Sequence, residues 1–463
     1  MIGIEALKSQ IPEIKARIEG RAFGAIRRTF KDCDPAELAE VIKDFSEQEQ
    51  AVIFRILPRA LSASTFEYLD IEDQKNLLRG LGQADVAGIL NDMSPDDRTA
   101  LLEELPGPAV HQLLSLLSPK ERMVARSLLG YPENSVGRLM TPDYMSIQSS
   151  WTVQEVLTYI RERGDVSESF NDLYVIDPQG KLADDIHIRS LLLSPLDTKI
   201  ENLMNHTCVS LSVSEEKEAA ILIFRKYDKV TLPVVDSQNF LVGIVTIDDV
   251  MDVVEETDTE DIQKFGGLDA LDESYMSTPM LEMIKKRARW LVILFLGEML
   301  TATAMTFFQD ELARAVVLAL FLPLIISSGG NSGSQAATLI VRAMALGEIT
   351  LKDWWKVFKR EVFSGLALGT ILGLIGFIRI AVWSQLFHSY GEHWLLISAT
   401  VSLSLVGVVL WGSLSGSMLP FVMKSIGADP AASSAPFVAT LVDVTGLIIY
   451  FTVGAILLRG ILL

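Results

Sequence analysis

Residues 432–463 form an almost unbroken apolar stretch that contains a single carboxylate, Asp443. A helix of about 20 apolar residues crosses the ~30 Å hydrocarbon core of a bilayer, so this stretch is long enough to span a membrane. An aspartate at the centre of such a helix costs about 2.5 to 3.5 kcal/mol on insertion scales, which favours a position facing a partner or water. Thr440, Thr445 and Gly446 lie within about one turn of Asp443. We therefore expect Asp443 to lie on an ion path, with pairing to another membrane helix as the alternative.

Four more apolar segments precede this one, which gives an α-helical transmembrane domain with five predicted spans. Lys and Arg are concentrated before the first span and in the loop after the second, which by the positive-inside rule lie in the cytoplasm. We therefore expect a multi-pass protein of the cell membrane, embedded in the lipid bilayer, with cytoplasmic N-terminal domains and an extracytoplasmic C-terminus. The predicted spans are residues 290–308, 313–346 with an interruption, 363–383, 394–421 and 432–463.

The interruption is predicted in the second span, where the polar, glycine-rich stretch 327–335 separates two apolar pieces. Irregular backbone at membrane depth is tolerated only where it is buried in protein or lines a cavity. Asn331 and Gln335 offer carbonyl oxygens to a cation there, as Asp443 offers a carboxylate. A packing joint of small residues between helices is the alternative explanation.

Charge separates the two halves of the chain. The first 280 residues contain 27 Lys/Arg and 49 Asp/Glu, a net charge of −22, whereas the remainder carries +3. An acidic soluble part repels nucleic acid and attracts multivalent cations, so divalent cations are expected partners and nucleic acid is not. The five His residues form no HxxxH or HExxH pattern, which removes the usual zinc sites and argues against a metalloprotease or other enzyme.

Residues 1–135 are predicted to be helical throughout, because apolar residues recur at helical spacing between Pro, Gly and Asp residues. Two segments share a loose repeat that begins with Ser94-Pro95 and Ser118-Pro119, which are typical helix-start pairs. The repeat predicts a stack of helix pairs, an all-α superhelical domain. Asp96 and Asp97 follow the first pair, and helix-start electrostatics alone would explain their carboxylates.

Residues 136–254 contain a second internal repeat, in which LMTPDYMSIQ corresponds to LMNHTCVSLS, and each copy is predicted to run strand, helix, strand, strand, helix. The segment TLPVVDSQNFLVGIVTIDDV resembles a CBS domain, and the two copies resemble an α+β tandem CBS pair. CBS pairs often bind adenosine nucleotides through a Thr and an Asp at a strand-to-helix turn, so the resemblance implies ATP at Thr246 and Asp249. The first copy carries Ser190 at the acidic position, which departs from that pattern.

Eight acidic residues and no basic residue lie between Asp248 and Asp261. In a helix, Asp249, Asp252, Glu256 and Glu260 would share one face, where like charges destabilise each other by tenths of a kcal/mol per pair. Hard divalent cations bind carboxylate oxygens, so the face is a candidate Mg²⁺ sensor, and a solvated acidic face is the alternative. We assign residues 255–281 to an acidic connecting helix, broken at Gly266-Gly267, and residues 282–463 to the transmembrane domain.

The order of these parts, with the motifs FLPLIISSGGNSGSQAATLIVRA and SAPFVATLVDVTGLIIYF, resembles the MgtE family of magnesium channels over nearly the full length. The resemblance implies a homodimer with the ion path on its two-fold axis, lined by the second and fifth spans. It implies that Asp443 binds the transported Mg²⁺. Asn331, on the second span, is a candidate ligand in the same pore because of its carbonyl oxygen.

The same resemblance implies that cytosolic Mg²⁺ binds acidic residues at domain interfaces and holds the pore shut. Mg²⁺ would then be both the transported ion and the regulatory ligand. The matching residues are Asp96, Asp97, Glu216, Asp228, Asp249, Asp252, Glu260, Asp261 and Asp429, and the helical register adds Glu256.

Two other functions compete with a channel. A cation-coupled secondary transporter of Mg²⁺, Co²⁺ or Ni²⁺ could use the same scaffold and would differ in whether flux is channel-like. A membrane enzyme regulated by CBS domains would need catalytic motifs, and the sequence has neither HExxH nor GxxxxGK[ST].

Overall fold

The structure, a computed structural model, describes residues 4–164, 167–271, 275–276, 278–309, 316–388 and 390–458. The chain divides into two compact units, residues 1–256 and 257–463. The first unit contains the N-terminal helices and two small β-sheets, and the second contains the long apolar helices.

The N-terminal helices are arranged in pairs that repeat every 24 residues. The first helices of successive pairs begin at Pro35, Arg59, Gln83 and Gly107, and the second helices begin at Glu47, Ile71, Pro95 and Pro119. This confirms the predicted stack of helix pairs. The helices are α1 Ile4–Ser9, α2 Ile11–Glu19, α3 Phe23–Phe30, α4 Pro35–Ile42, α5 Glu47–Ile56, α6 Arg59–Glu67, α7 Ile71–Gly80, α8 Gln83–Asp92, α9 Pro95–Glu103, α10 Gly107–Leu116 and α11 Pro119–Leu128.

One long polar side chain per repeat joins the two helices of a pair. Gln50, Gln74, Arg98 and Arg122 each donate a hydrogen bond to the carbonyl oxygen eight residues earlier, at 3.2, 2.9, 3.0 and 2.7 Å. The accepting carbonyls lie at or near the C-terminal ends of α4, α6, α8 and α10, where the helix leaves them without an internal partner. The side chains therefore satisfy carbonyls that burial would otherwise make costly.

Each copy of the second repeat has the predicted order of strand, helix, strand, strand, helix. In both copies the first two strands are parallel and the last two are antiparallel. The backbones of Thr141 and Ile244 exchange two hydrogen bonds of 2.9 Å, which join the segment ahead of the first copy to the sheet of the second. The elements are α12 Val136–Leu139, β1 Ser146–Gln148, α13 Val153–Arg163, β2 Asp172–Ile176, β3 Leu182–His187, α14 Ile188–Leu193, β4 Leu211–Ser212, α15 Lys217–Tyr227, β5 Thr231–Val235, β6 Leu241–Thr246 and α16 Ile247–Phe265.

Helix α16 carries the acidic run of the sequence and ends where predicted, before Gly266 and Gly267. Gly267 has a φ of 75°, a left-handed conformation that glycine adopts without steric cost. The acidic segment therefore continues the last helix of the CBS pair and stops at Phe265, and a short turn follows.

Five helices within the described residues are long and apolar enough to cross a membrane, as predicted. They span Met280–Phe307, Val316–Ala345, Leu351–Phe387, Gly391–Ser425 and Ala435–Leu458. The corresponding α-helices are α17 Met280–Phe307, α18 Val316–Ala319, α19 Leu322–Ala345, α20 Trp354–Phe387, α21 Trp394–Ser425 and α22 Ala435–Leu458, and the last predicted residues, 459–463, lie outside the described part.

The predicted interruption of the second span at residues 327–335 is wrong. The helix continues through this stretch as α19, and the break lies earlier, between α18 and α19, where Pro323 occupies the first turn of α19. Gly329 and Gly333 do not end the helix, because they pack against Gly412 and Gly416 of α21. A side chain at residue 412 or 416 would strike the backbone of α19. Ser332 and Ser413 add a buried hydrogen bond of 2.7 Å at the same crossing.

Candidate functional site

An open cavity of about 840 Å³ lies in the first unit and is lined mainly by carboxylates. We call it the acidic cavity. None of the described residues that line it is Lys or Arg. Its acidic lining residues are Glu67, Asp70, Asp92, Asp96, Asp97, Glu121, Asp143, Glu168, Asp248, Asp249 and Asp252.

Two helix starts place the central carboxylates of this cavity. Asp96 and Asp97 occupy the first turn of α9 behind the cap residue Ser94, and Asp249 occupies the first turn of α16. The positive end of each helix favours an acidic side chain there, so local electrostatics positions residues that then repel one another. Asp96 is only 7% exposed, so its carboxylate is almost fully removed from water.

A short hydrogen-bond network orders part of the lining. Ser94 donates its hydroxyl to Asp97 Oδ2 at 2.6 Å and its backbone N–H to Glu67 Oε1 at 2.8 Å. The Thr246 hydroxyl donates to Asp249 Oδ2. These contacts hold the carboxylates in position but supply no positive charge.

Burial and mutual repulsion raise the pKa values of these acids. Burial, with repulsion from Asp248 and Asp97, raises the pKa of Asp249 to about 7. Burial, followed by repulsion from Asp249 and Asp97, raises the pKa of Asp96 well above its usual value. Burial is also the main reason that the pKa of Glu67 rises to about 7. Asp70, Asp92 and Glu121 pair with Lys43, Arg59 and Arg98, whereas Glu67, Asp96 and Asp249 take part in none of the described ion pairs.

This donor set fits a hard divalent cation. Mg²⁺ prefers oxygen ligands and keeps several of its waters, so it suits an open, water-accessible cavity bordered by carboxylates. Within the described residues, no three His, Cys, Asp or Glu side chains are already close enough to form a complete metal site. Hydrated binding, in which waters bridge the ion and the carboxylates, is the arrangement that this spacing permits.

The sequence reasoning missed several members of the acidic cavity. Glu67 ends α6, Glu121 lies on α11, and Asp143 and Glu168 lie on connecting segments of the first CBS copy. They come from four separate parts of the chain, so no spacing in the sequence links them to Asp249. Asp248 belongs to the acidic run but is not among the predicted ligands.

The acidic cavity also bears on the predicted nucleotide pair. Thr246 and Asp249 are hydrogen-bonded to each other, and Asp249 borders the acidic cavity. A triphosphate would be repelled by the surrounding carboxylates, so the lining favours a cation over ATP at this pair.

Two further predicted ligands on α16 have different surroundings. Asp252 borders both the acidic cavity and a smaller neighbouring cavity of about 140 Å³, which Glu256 also lines. Glu256 already has a counter-ion, because Lys217 Nζ lies 3.7 Å from its Oε2 atom. Asp252 is thus the better placed of the two to receive a cation.

Glu216 and Asp228 are not part of the acidic cavity. They flank the two ends of α15 and are both exposed, and Asp228 has a left-handed φ of 49°. An 11-residue helix is about 16 Å long, so one ion cannot bind both side chains in a single protomer. The structure therefore leaves this pair separated from the other predicted ligands in its unit.

In the second unit, Glu260, Asp261 and Asp429 form a smaller acidic group that includes a lysine. Lys264 Nζ lies 2.6 Å from Glu260 Oε2 and 3.2 Å from Asp429 Oδ2. Burial, followed by repulsion from Asp429, raises the pKa of Asp261. Asp429 therefore lies close to the acids at the end of α16 within this unit.

The candidate ion path follows one face of α19 beside α22. Asn331 is exposed on α19, and Asp443 on α22 is partly exposed. The neighbouring Gly330 packs on α22, where a side chain would lie 3.5 Å from Ala439 and 3.8 Å from Asp443 Oδ1. The exposed polar residues of α19 recur at helical spacing and form a polar stripe, Ser327, Asn331, Gln335 and Thr338.

The two sides of the glycine-rich stretch have different surroundings. Gly329 and Gly333 pack on α21, whereas Asn331 and Gln335 lie on the opposite, exposed side of α19. A regular helix separates the two sets by its 3.6-residue period, so no irregular backbone is needed.

Comparison with known proteins gives consistent matches along the chain. Residues 322–453 match the family profile described as divalent cation transporter, MgtE, residues 33–134 match the MgtE intracellular N domain, and residues 136–196 and 200–256 match the CBS domain. The magnesium transporter MgtE of Thermus thermophilus is 35% identical over 440 residues, with 94% of this chain and 96% of the relative covered. The magnesium transporter MgtE of Bacillus subtilis is 28% identical over 437 residues, with 92% and 95% covered.

A solved structure of the soluble part of a magnesium transporter resembles the first half of the chain. The TM-score is 0.52 and the identity 26%, and the match covers 54% of this chain and 99% of the solved one.

Proposed function

Because the chain belongs to the MgtE family of divalent cation transporters, we propose that it is a Mg²⁺-selective channel for magnesium uptake that cytosolic Mg²⁺ closes. Its transport activity needs no enzymatic step. A divalent cation that enters down a 100 mV membrane potential gains about 4.6 kcal/mol, so uptake needs a selective path and a gate.

The observation that carries this proposal is the polar stripe of α19 beside Asp443. Polar side chains and a carboxylate in membrane-spanning helices should not face lipid, because each uncompensated polar group there is costly. Asn331 and Gln335 are exposed in the single chain. A second copy that covers this face would enclose the path, so the functional unit is proposed to be a homodimer with Asp443 as the ion-binding carboxylate.

The acidic cavity is the proposed sensor of the gate. Its carboxylates repel one another at neutral pH until a cation bridges them, so the ion-free and ion-bound arrangements differ in free energy. A ligand shifts a conformational equilibrium only by its difference in affinity for the two states. Cytosolic Mg²⁺ would favour the arrangement in which Asp96, Asp97, Asp249 and Asp252 approach one another, and that arrangement is proposed to be the closed one.

The remaining predicted ligands complete this proposal. Glu260, Asp261 and Asp429 would bind a second regulatory ion, and Glu256 would contribute through the smaller cavity. Glu216 and Asp228 would bind ions together only with residues of a second copy. The division into domains at residues 135, 254 and 281, the cytoplasmic position of the N-terminal domains and the extracytoplasmic C-terminus belong to the same proposal.

Ion flux into proteoliposomes tests the proposed function. Mg²⁺ influx should follow the membrane potential without a coupled ion, and roughly 5 to 10 mM Mg²⁺ on the cytosolic side should suppress it, as expected at millimolar carboxylate sites. A variant with Asp96, Asp97, Asp249 and Asp252 changed to Asn should keep its flux at high cytosolic Mg²⁺. Replacing four exposed acids outside the cavity by Asn or Gln removes the same number of charges and provides the control: Asp32, Asp44, Glu162 and Asp197. Flux that requires a counter-ion gradient would replace the channel with a coupled transporter.

A further inference from the structure

Lys264 connects two segments of the second unit that are far apart in the sequence. Its Nζ atom lies 2.6 Å from Glu260 Oε2, one turn earlier on α16, and 3.2 Å from Asp429 Oδ2, which follows α21. Its side chain is 34% exposed, and the two carboxylates are 43% and 40% exposed. The ammonium group therefore lies between both acids at the edge of the solvent.

Asp429 has a second role that extends this connection toward the candidate ion path. Its other oxygen, Oδ1, accepts a hydrogen bond of 2.8 Å from the backbone N–H of Ala431. This contact caps the short turn Pro430–Ala432, and α22 begins three residues later at Ala435. The lysine is thus linked through one aspartate to the segment that leads into the helix of Asp443.

The charged residues around Lys264 are acidic. Among the described ion pairs, Lys264 is the residue that offsets the negative charge of Glu260 and Asp429. Asp261 has a pKa raised first by burial and then by Asp429, which places its carboxylate close to the same group. Two carboxylates therefore contact one ammonium group, and a third, that of Asp261, lies near enough to interact electrostatically with Lys264 and Asp429. A cation bound among these acids would occupy the space that Lys264 Nζ already holds.

We propose that Lys264 is a built-in cation that ties α16 to the turn ahead of α22 when Mg²⁺ is absent, and that Mg²⁺ must displace its ammonium group to bind there. The inference rests on the proposed Mg²⁺-gated function and adds a regulatory role for a basic residue. It follows that this contact forms at zero Mg²⁺ and depends on Mg²⁺ less than the acidic cavity does. The central acids of that cavity take part in none of the described ion pairs: Asp96, Asp97, Asp249 and Asp252.

Hydrogen–deuterium exchange of the full-length protein tests the tie directly. In wild-type protein with EDTA, amides of residues 257–265 and 428–434 should exchange slowly. Lys264→Met, which keeps the length of the side chain but removes its charge, should accelerate exchange at both segments about threefold or more. Addition of about 10 mM Mg²⁺ should restore the protection in Lys264→Met, because the three carboxylates are then free to bind the ion.

Two other variants separate charge from side-chain loss. Lys264→Arg retains the positive charge and should keep wild-type protection in EDTA. Lys424→Met is the matched control, because Lys424 is exposed at the end of α21 and takes part in none of the described ion pairs. Its exchange should equal that of the wild type in both segments.

The outcomes distinguish this inference from the proposed function. If exchange in Lys264→Met with EDTA equals that of the wild type, the tie between α16 and the turn ahead of α22 is overturned. If the variant loses protection and Mg²⁺ does not restore it, Lys264 does not act as a substitute for a metal ion. Failure of the wild-type protein to conduct Mg²⁺ would reject the proposed function. The exchange result would then still establish or reject the lysine contact.

Discussion

Gly267 lies so close to Trp290 that a Cβ atom on residue 267 would be 2.6 Å from the indole Nε1 and 3.2 Å from Cγ of Pro436. The same indole N–H donates to Ser434 Oγ at 3.3 Å. The turn that follows α16 is therefore packed against the first half of α17 and the start of α22. A movement of this turn would therefore be transmitted by direct contact to the first and fifth membrane helices.

Gly267→Ala should destabilise this packing and alter the Mg²⁺ dependence of flux. The methyl group would strike Trp290, and the left-handed φ of 75° adds a conformational cost of about 1 kcal/mol for an L-residue. Gly347→Ala is the control, because Gly347 has a φ of 71° but no atom within 4 Å of the position that its Cβ would take. A lower melting temperature for Gly267→Ala than for Gly347→Ala would isolate the contact, and equal values would exclude it.

Asp443→Ala should reduce Mg²⁺ flux at least about tenfold while the protein still inserts and assembles, because a charge-assisted contact to the ion is worth about 1.5 to 3 kcal/mol. Asp443→Asn keeps the shape and should lose selectivity among cations before it loses expression. Glu348→Gln, at an exposed bend between α19 and α20 and in none of the described ion pairs, controls for the loss of one acidic charge. Wild-type flux in folded Asp443→Ala protein would remove Asp443 from the path.

The Mg²⁺-free protein should become less stable as pH rises from about 4.5 to 7. Glu67 and Asp249 have folded pKa values of about 7, compared with about 4 in an unfolded chain, so the folded form binds more protons in this window. We expect a higher melting temperature in EDTA at about pH 5.5 than at about pH 7.5, and a larger stabilisation by Mg²⁺ at the higher pH. The double variant Glu67→Gln/Asp249→Asn should flatten both trends, and an unchanged pH profile would contradict the assignment.

Arg98→Ala should destabilise the N-terminal helices by about 3 to 5 kcal/mol, because it leaves buried partners without a donor. Arg98 is fully buried, donates to Leu90 O at 3.0 Å and pairs with Glu121 at 2.7 Å. Arg98→Gln should cost less, since Gln50 and Gln74 reach the corresponding carbonyls in their own repeats. Thermal unfolding of the full-length variants measures the difference, and equal losses would mean that the shared carbonyl contact contributes little.

Patterns of single elements could be read from the sequence. The helix pairs and the five apolar spans each have a local period or length that is typical of one kind of element. The two CBS copies were visible as an internal repeat and were identified by their resemblance to a known family. The acidic run on α16 and the isolated Asp443 were likewise visible, because charge in these settings has few explanations. The prediction of a break in the glycine-rich stretch of α19 was wrong, because its glycines pack against Gly412 and Gly416, which follow about 80 residues later.

The sequence by itself determined the fold class, the family and the carboxylates on α9, α16 and α22, because these depend on periodicity, hydropathy and short motifs. Only the tertiary structure decided which of them meet. Glu67 and Glu168 line the acidic cavity together with Asp96 and Asp249. Glu216 and Asp228 lie at opposite ends of α15. Lys264 lies between Glu260 and Asp429. Such proximity depends on how separate helices and loops pack, and residue spacing along the chain carries no record of it.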